Sequence, residues 1–239
     1  MTIPNITIFA DCADFAGIKK ALALPWTGGF TTNPSLVSQA GVADYTAYAK
    51  EVLALVPDLP VSFEVLSNTQ EGMESEARVI HSWGRNVYVK IPVIDSAGNS
   101  MGRLIKKLSA EGIALNVTCV FTPEQAQIAA NALDAASLAY VSVFAGRIAD
   151  VGVNPIPIVT KCRDILQKLP KTKLLWASTR EVYSIWQAAE AGCDIITAPL
   201  DMIAKLRNAG KDLTELAQDA VKAFMKDIAQ AGVTFGPTS

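Results

Sequence analysis

A chain of 239 residues, 50% hydrophobic and 18% charged, can bury one large core. Its formal net charge of −2 comes without a lysine–arginine cluster, which argues against nucleic acid or an anionic membrane as partner. No run of ~18 apolar residues is present, and the start lacks a signal-peptide pattern, so a soluble, cytoplasmic chain is expected. Cys12, Cys119, Cys162 and Cys193 are scattered, a spacing that suits free thiols in a reducing compartment. His81 is the only histidine, so a multi-histidine metal site is excluded and a Ser-His-Asp triad would have to use it.

Strand and helix patterns alternate from end to end. Ile3 to Ala10 reads as a first strand closing on Asp11, followed by helical sequence from Cys12 to Leu24 with Asp14 near its start. A short strand around Gly29 to Thr32 leads into Asn33-Pro34, where Pro34 suits the first turn of a helix. A helix from about Asp44 to Val56, a strand from Val61 to Leu66 and a helix from Asn68 to Trp83 come next. Asn68 or Thr69 is the cap of the last.

Asn86 to Pro92 is the fourth strand and contains Lys90; Asp95 to Asn99 then reads as a turn. A helix over Ser100 to Glu111 ends on Gly112. Ile113 to Thr118 is the fifth strand, and Thr122-Pro123-Glu124-Gln125 opens a helix with a capping-box pattern. Ser137 to Phe144 is sixth, with helical sequence to Leu169 interrupted at Asn154-Pro155 and Pro157. Thr172 to Ala177 is seventh, followed by a helix from Thr179 to Ala191. Asp194 to Thr197 is eighth, with a helix from about Leu200 to Asn208 and a last amphipathic helix from Leu213 to Gln230.

Eight strands, each followed by a helix, in a chain near the ~250 residues typical of the architecture, predict an α/β fold: a single-domain (β/α)8 TIM barrel with an additional C-terminal helix. An open doubly wound sheet is the rival. Asp11-Cys12-Ala13-Asp14-Phe15 has no glycine fingerprint after the first strand, and no Walker A pattern is present. No linker or composition shift divides the chain, so one domain over residues 1–239 is expected, with residues 212–231 as the C-terminal helix.

Both faces of a barrel strand are buried, by helices outside and side chains inside. If the more uniformly apolar parity faces the helices, Thr7, Phe9 and Asp11 point inward from the first strand, Ser62 and Glu64 from the third, and Lys90 from the fourth. Asn116 and Thr118 do so from the fifth, Tyr140, Ser142 and Phe144 from the sixth, and Trp176 and Ser178 from the seventh. A lone strand lysine ordinarily extends its head to water. Seven strands that each supply a polar residue near the catalytic end of a barrel are not explained that way. Asp11, Asn33, Glu64, Lys90, Asn116, Thr118, Ser142 and Ser178 are therefore expected around one small volume.

One buried lysine among two carboxylates, amides and hydroxyls, without a cofactor motif, suggests Schiff-base chemistry without a bound cofactor. A neutral amine attacks a ketone, and the iminium draws electrons from a breaking carbon–carbon bond. Desolvation lowers a lysine pKa and favours that neutral form. Asp11 and Glu64 are the carboxylates available for proton transfer. Arg147 and Arg180 follow the sixth and seventh strands, and with Ser178 they form a natural phosphate site.

Several segments, in the same order, resemble the transaldolase family: Thr31-Thr32-Asn33-Pro34-Ser35-Leu36, Val89-Lys90-Ile91-Pro92, Leu115-Asn116-Val117-Thr118, Ser142 to Asp150 and Ala177-Ser178-Thr179-Arg180. The short length is similar to the small branch that includes fructose-6-phosphate aldolases. The resemblance implies that Lys90 forms the Schiff base, Asp11 exchanges the proton of the C4 hydroxyl, and Glu64 and Thr118 act through a water. It further implies that Thr31, Asn33, Asn116, Ser142 and Phe144 hold or line the dihydroxyacetone end, with Arg147, Ser178 and Arg180 on the distal phosphate. Transaldolases carry Glu and Phe where fructose-6-phosphate aldolases carry Gln and Tyr, so Glu64 and Phe144 lean toward transfer. Val143, Thr179 and Cys119 depart from the commonest family residues. Transfer between sugar phosphates in the pentose phosphate pathway is the leading expectation. Release of free dihydroxyacetone, a sulfonated ketose, or a barrel that only binds sugar phosphate are the alternatives. A homo-oligomer is also expected, built partly on the apolar stripe Leu213, Leu216, Ala217, Ala220, Val221 and Phe224.

Overall fold

Eight parallel strands pair in chain order, and the eighth closes against the first. They are β1 (Thr7–Asp11), β2 (Thr27–Thr31), β3 (Val61–Glu64), β4 (Val87–Pro92), β5 (Leu115–Val120), β6 (Ala139–Val143), β7 (Thr172–Trp176) and β8 (Ile195–Pro199). The helices are α1 (Phe15–Leu22), α2 (Pro34–Gln39), α3 (Tyr45–Leu55), α4 (Gln70–His81), α5 (Gly102–Ala110), α6 (Pro123–Ala132), α7 (Ala145–Asp150), α8 (Pro155–Leu166), α9 (Ser184–Glu190), α10 (Leu200–Ala204) and α11 (Leu213–Ala231). The fold is a (β/α)8 TIM barrel. It is seen in a computed structural model that describes residues 2–235; Met1 and residues 236–239, the ends of the expected 1–239 span, lie outside the described residues.

Local chemistry starts most of these helices where the sequence reading places them. Asp14, Asn33, Asp44, Thr69 and Asn154 each accept a backbone N–H in the first turn, and Thr122 and Gln125 form the expected capping box. Pro155 and Pro157 both fall within the first turn of α8, where a missing N–H costs nothing, so only the first marks a break. Two boundaries differ more. β1 begins at Thr7, not Ile3, because Thr7 pairs with Ile195, the first residue of β8, and earlier residues have no neighbouring strand. α9 begins at Ser184, not Thr179, because the Thr179 hydroxyl donates to the Thr197 carbonyl at 2.6 Å and the chain runs on as a loop.

The described residues divide into two compact units, Pro4–Ala204 and a smaller one that holds residues 205–235 with residues 2–3. In the first, Val61, Phe63, Val89, Ile91, Leu115, Val117, Val141 and Val143 are fully buried on the helix-facing side of the strands, as the parity rule requires. The interior floor is apolar: Phe9, Tyr140, Leu175, Ala177 and Ile195 pack together with Tyr88 and Phe144. Tyr88 and Tyr140 stack at 3.9 Å, and Phe9 meets Tyr140 edge-on at 5.7 Å. Gly29 is needed here, since a Cβ would lie 2.5 Å from the Phe9 ring. In the second unit, α11 is capped by Asp212 and ends on Gly232 at φ +59°. None of its residues is buried, and Leu213, Leu216, Val221, Phe224, Met225 and Ile228 are exposed.

The inward face of β7 corrects one expectation. Trp176 pairs with Val143 and faces the helices, while Leu175 pairs with Ser142 and faces inward with Ala177. Leu174, Leu175, Trp176 and Ala177 are apolar at both parities, so the rule had nothing to discriminate. Ser178 nevertheless reaches the interior, because its φ of +64° interrupts the pleat and turns two successive residues to the same side.

Candidate active site

Lys90 sits in the middle of the constellation. Its register partners are Glu64 on β3 and Asn116 on β5. Only 7% of the residue is exposed, and Nζ makes an ion pair with Glu64 at 2.9 Å and donates to the Thr32 carbonyl at 2.8 Å. A buried ammonium needs such partners, because desolvation otherwise costs several kcal/mol.

Asp11 ends β1, in register with Thr31 of β2, whose hydroxyl donates to Oδ1 at 3.0 Å. Asn33 caps α2 with its carbonyl oxygen, and a side-chain hydrogen bond from Asn33 helps hold the Asp11 carboxylate. Burial nevertheless pushes the Asp11 carboxyl above the ordinary aspartate value, against the Lys90 charge and the bonds from Thr31 and Asn33. A carboxyl moved toward neutrality in this way is suited to exchange protons.

Beside Lys90 runs a buried polar layer. The Asn116 amide donates to Ser62 Oγ at 3.0 Å and its carbonyl accepts from Ser142 Oγ at 2.6 Å, so the side chain is locked and keeps one N–H free of both. Thr118 Oγ1 is buried and finds no partner among the described residues. The next residue, Cys119, has φ +58° where the β5–β6 register slips, so both side chains line the same cavity. All four cysteines are free; burial pushes Cys12 and Cys162 up to about 12, leaving them protonated. His81 is exposed at the end of α4.

Towards the rim, Arg147 on α7 stands 5.2 Å from the Phe144 ring centroid, and Ser178 and Arg180 come from the β7–α9 loop. Arg180 is not an open fork. Its Nε contacts both oxygens of Asp150 at 3.0 Å and its NH2 meets Oδ2 at 2.7 Å, which raises its pKa further. Gly146 allows the two loops to touch, because a Cβ there would lie 1.6 Å from the Ser178 carbonyl oxygen.

These pieces enclose one cavity of about 440 Å³, within the range of small-molecule sites. It is lined by Lys90, Asp11, Glu64, Thr118, Asn33, Thr31, Asn116, Ser142, Phe144, Arg147, Ser178 and Arg180, every residue singled out from the sequence. It opens at the C-terminal ends of the strands, where barrel active sites lie. A lysine beside two carboxylates at the closed end and two arginines at the rim can form an imine, move protons and grip an anion.

The chain matches the Transaldolase/Fructose-6-phosphate aldolase family model over residues 8–235. It belongs to that family. A "probable transaldolase" of Thermoplasma volcanium is 38% identical over 218 residues, covering 89% of this chain and 94% of that protein. Another from an Anaeromyxobacter species is 38% identical over 220 residues, covering 92% and 95%, and one from Methanococcus maripaludis is 36% identical at the same coverage. The chain is thus a transaldolase-type enzyme. Among solved structures, 3-hexulose-6-phosphate synthase from Salmonella typhimurium shares the fold at TM-score 0.57 and 13% identity, covering 84% of this chain and 96% of that one. A 2,3-dimethylmalate lyase does so at TM-score 0.53 and 14% identity, covering 97% and 85%.

Thr197, Pro199 and Asp150, three residues at the candidate site, escape the sequence reading. Thr197 and Pro199 line the cavity from β8, and their signal was available: they continue the inward parity of Ile195. The pairing of Asp150 with Arg180 has no local signal, since only the fold brings the two together. Among the described residues no group of three histidine, cysteine or acidic side chains could hold a metal ion.

Proposed function

We propose that this enzyme is a class I transaldolase that moves a dihydroxyacetone unit from a ketose phosphate such as fructose 6-phosphate to an aldose phosphate such as erythrose 4-phosphate. The observation that carries the reading is Lys90 Nζ, buried at the closed end of the cavity between the Glu64 carboxylate and the Thr32 carbonyl, with Asp11 on the same wall.

In this reading Lys90 passes a proton to Glu64, its neutral amine attacks the C2 carbonyl, and loss of water from the carbinolamine gives an iminium. Glu64 handles the protons of that dehydration through a water held with Thr118, whose hydroxyl has no partner among the described residues. Asp11 takes the proton of the C4 hydroxyl as the C3–C4 bond breaks and its electrons enter the iminium as an enamine. The aldose phosphate leaves, an acceptor aldehyde enters, and the enamine carbon attacks it as Asp11 returns the proton to the new C4 oxygen. Water then hydrolyses the iminium to release the new ketose and free Lys90. Asn33, Asn116, Thr31 and Ser142 hold the short end, and holding it in line is worth several kcal/mol. Phe144 offers no hydroxyl to protonate the enamine, which therefore waits for an acceptor.

Incubation with fructose 6-phosphate followed by borohydride reduction tests this: a mass adduct on Lys90 is expected. Absence of the adduct, while the ketose still binds, sinks the reading and leaves a sugar-phosphate-binding barrel. Phe144→Tyr should raise free dihydroxyacetone relative to transfer; an unchanged ratio refutes the role given to Phe144.

A second reading rests on Asp150. Its carboxylate offsets one of the two arginine charges at the rim, which suits a monoanionic sulfonate. A higher kcat/KM for a 6-sulfonated ketose than for fructose 6-phosphate would favour it. The exposed apolar residues of α11 suit burial against a second copy of the chain in a homo-oligomer. Light scattering of Phe224→Glu should show a smaller species than the wild type.

A further inference from the structure

Thr197 is buried in β8, lines the cavity, and has no part in the chemistry above. Its hydroxyl lies 2.5 Å from that of Thr31, which in turn donates to Asp11 Oδ1 at 3.0 Å. Three strands thus form one chain of hydrogen bonds, Thr197–Thr31–Asp11. The proton inventory fixes its direction. An ionised carboxylate only accepts, and Thr31 has a single hydroxyl proton, already given to Asp11. At the contact between the threonines, Thr31 must therefore accept and Thr197 donate. When Asp11 carries a proton the chain can reverse, with Asp11 donating to Thr31 and Thr31 donating to Thr197. Thr31 and Thr197 are only 3% and 5% exposed, so a lost partner is not simply replaced by bulk water.

We infer that Thr197 is a positioning residue that sets the proton affinity and orientation of Asp11 through Thr31. The inference rests on Asp11 being the group that exchanges the C4 proton. The other polar and titratable groups facing Asp11 are Lys90 from β4, Glu64 from β3, Asn33 at the start of α2, and Cys12 next in the chain. None of them lies on β8, so the Thr197 contribution is separable from theirs. The Thr197 backbone is separate again: its carbonyl accepts from Thr179 Oγ1, a bond that a side-chain substitution leaves in place.

The test is the pH–rate profile of fructose 6-phosphate and erythrose 4-phosphate turnover for wild type, Thr197→Val and Thr197→Ser. Valine keeps the shape and removes the hydroxyl. Without its donor, Thr31 holds the carboxylate less firmly, so the acidic limb of the profile should move to higher pH. The same variant should lose about tenfold in kcat near neutrality, the worth of one buried hydrogen bond, with KM nearly unchanged. Serine should restore both limb and rate. In a Thr31→Val background, Thr197→Val should add little further loss, because the chain is already cut. A limb that coincides with wild type, or losses that add in full in the double variant, overturns the inference; the second result stands even where Thr197→Val is poorly folded alone. Failure of the underlying reading looks different: the wild type itself would give no borohydride-trapped adduct on Lys90.

Discussion

The floor and the mouth of the barrel interior are built from the same strands two residues apart. On β1 the step is from Phe9 to Asp11, on β4 from Tyr88 to Lys90, on β6 from Tyr140 to Ser142, and on β8 from Ile195 to Thr197. The pleat sends both members of each pair inward, so orientation does not distinguish them; height along the strand does. Below, side chains fill volume by stacking and edge contacts. Above, they leave a cavity and bond to one another. Packing is concentrated in one layer and polar side chains in the layer on top of it.

The largest effect expected from this division is at Lys90. Lys90→Met should lower turnover on the order of 10⁴-fold while circular dichroism shows a folded protein; retained turnover would end the distinction. Phe9→Ala is the mirror experiment. It should cost about 3–5 kcal/mol in denaturant unfolding, with kcat of the folded protein within a few-fold of wild type.

How far this division could be read in advance varied by strand. Alternation with a polar residue at the upper end, as in Val87-Tyr88-Val89-Lys90, marks both the inward face and its height, and the first, third, fourth, fifth and sixth strands are legible on that basis. β7 was not, because Leu174 to Ala177 are apolar on both faces and the positive φ of Ser178 has no signature in a serine. Asp150 falls in a segment that resembles the family, but its pairing with Arg180 has no sequence signal: the partner lies 30 residues away and only strand order brings the two segments together. Family resemblance supplied the roles that parity alone left open.

A smaller effect tests how tightly the floor is packed. Gly29→Ala forces a methyl against the Phe9 ring and should destabilise by about 1–3 kcal/mol. Combined with Phe9→Leu, the loss should be well below the sum; strict additivity would show that the two do not share space.

The smallest effect is a pH dependence that belongs to the mouth alone. Burial raises the Asp11 carboxyl, so its protonated form favours the fold. That contribution is complete below the unfolded aspartate value of about 3.9 and is lost as pH rises through the folded one. Asp11→Asn should therefore match wild type in Tm at low pH and exceed it as pH rises. A difference that stays constant with pH would refute the assignment of the burial penalty to Asp11.

The contact between Gly146 and the Ser178 carbonyl has a consequence for how such an enzyme can change. The segment after β6, with Phe144, Arg147 and Asp150, and the segment after β7, with Ser178 and Arg180, are pinned to each other by that contact and by the Asp150–Arg180 pair. Neither can be exchanged for a sequence from a relative without disturbing the other. Residues 144–150 and 177–180 are best treated as a single heritable cassette, transplanted together whenever either is to be altered.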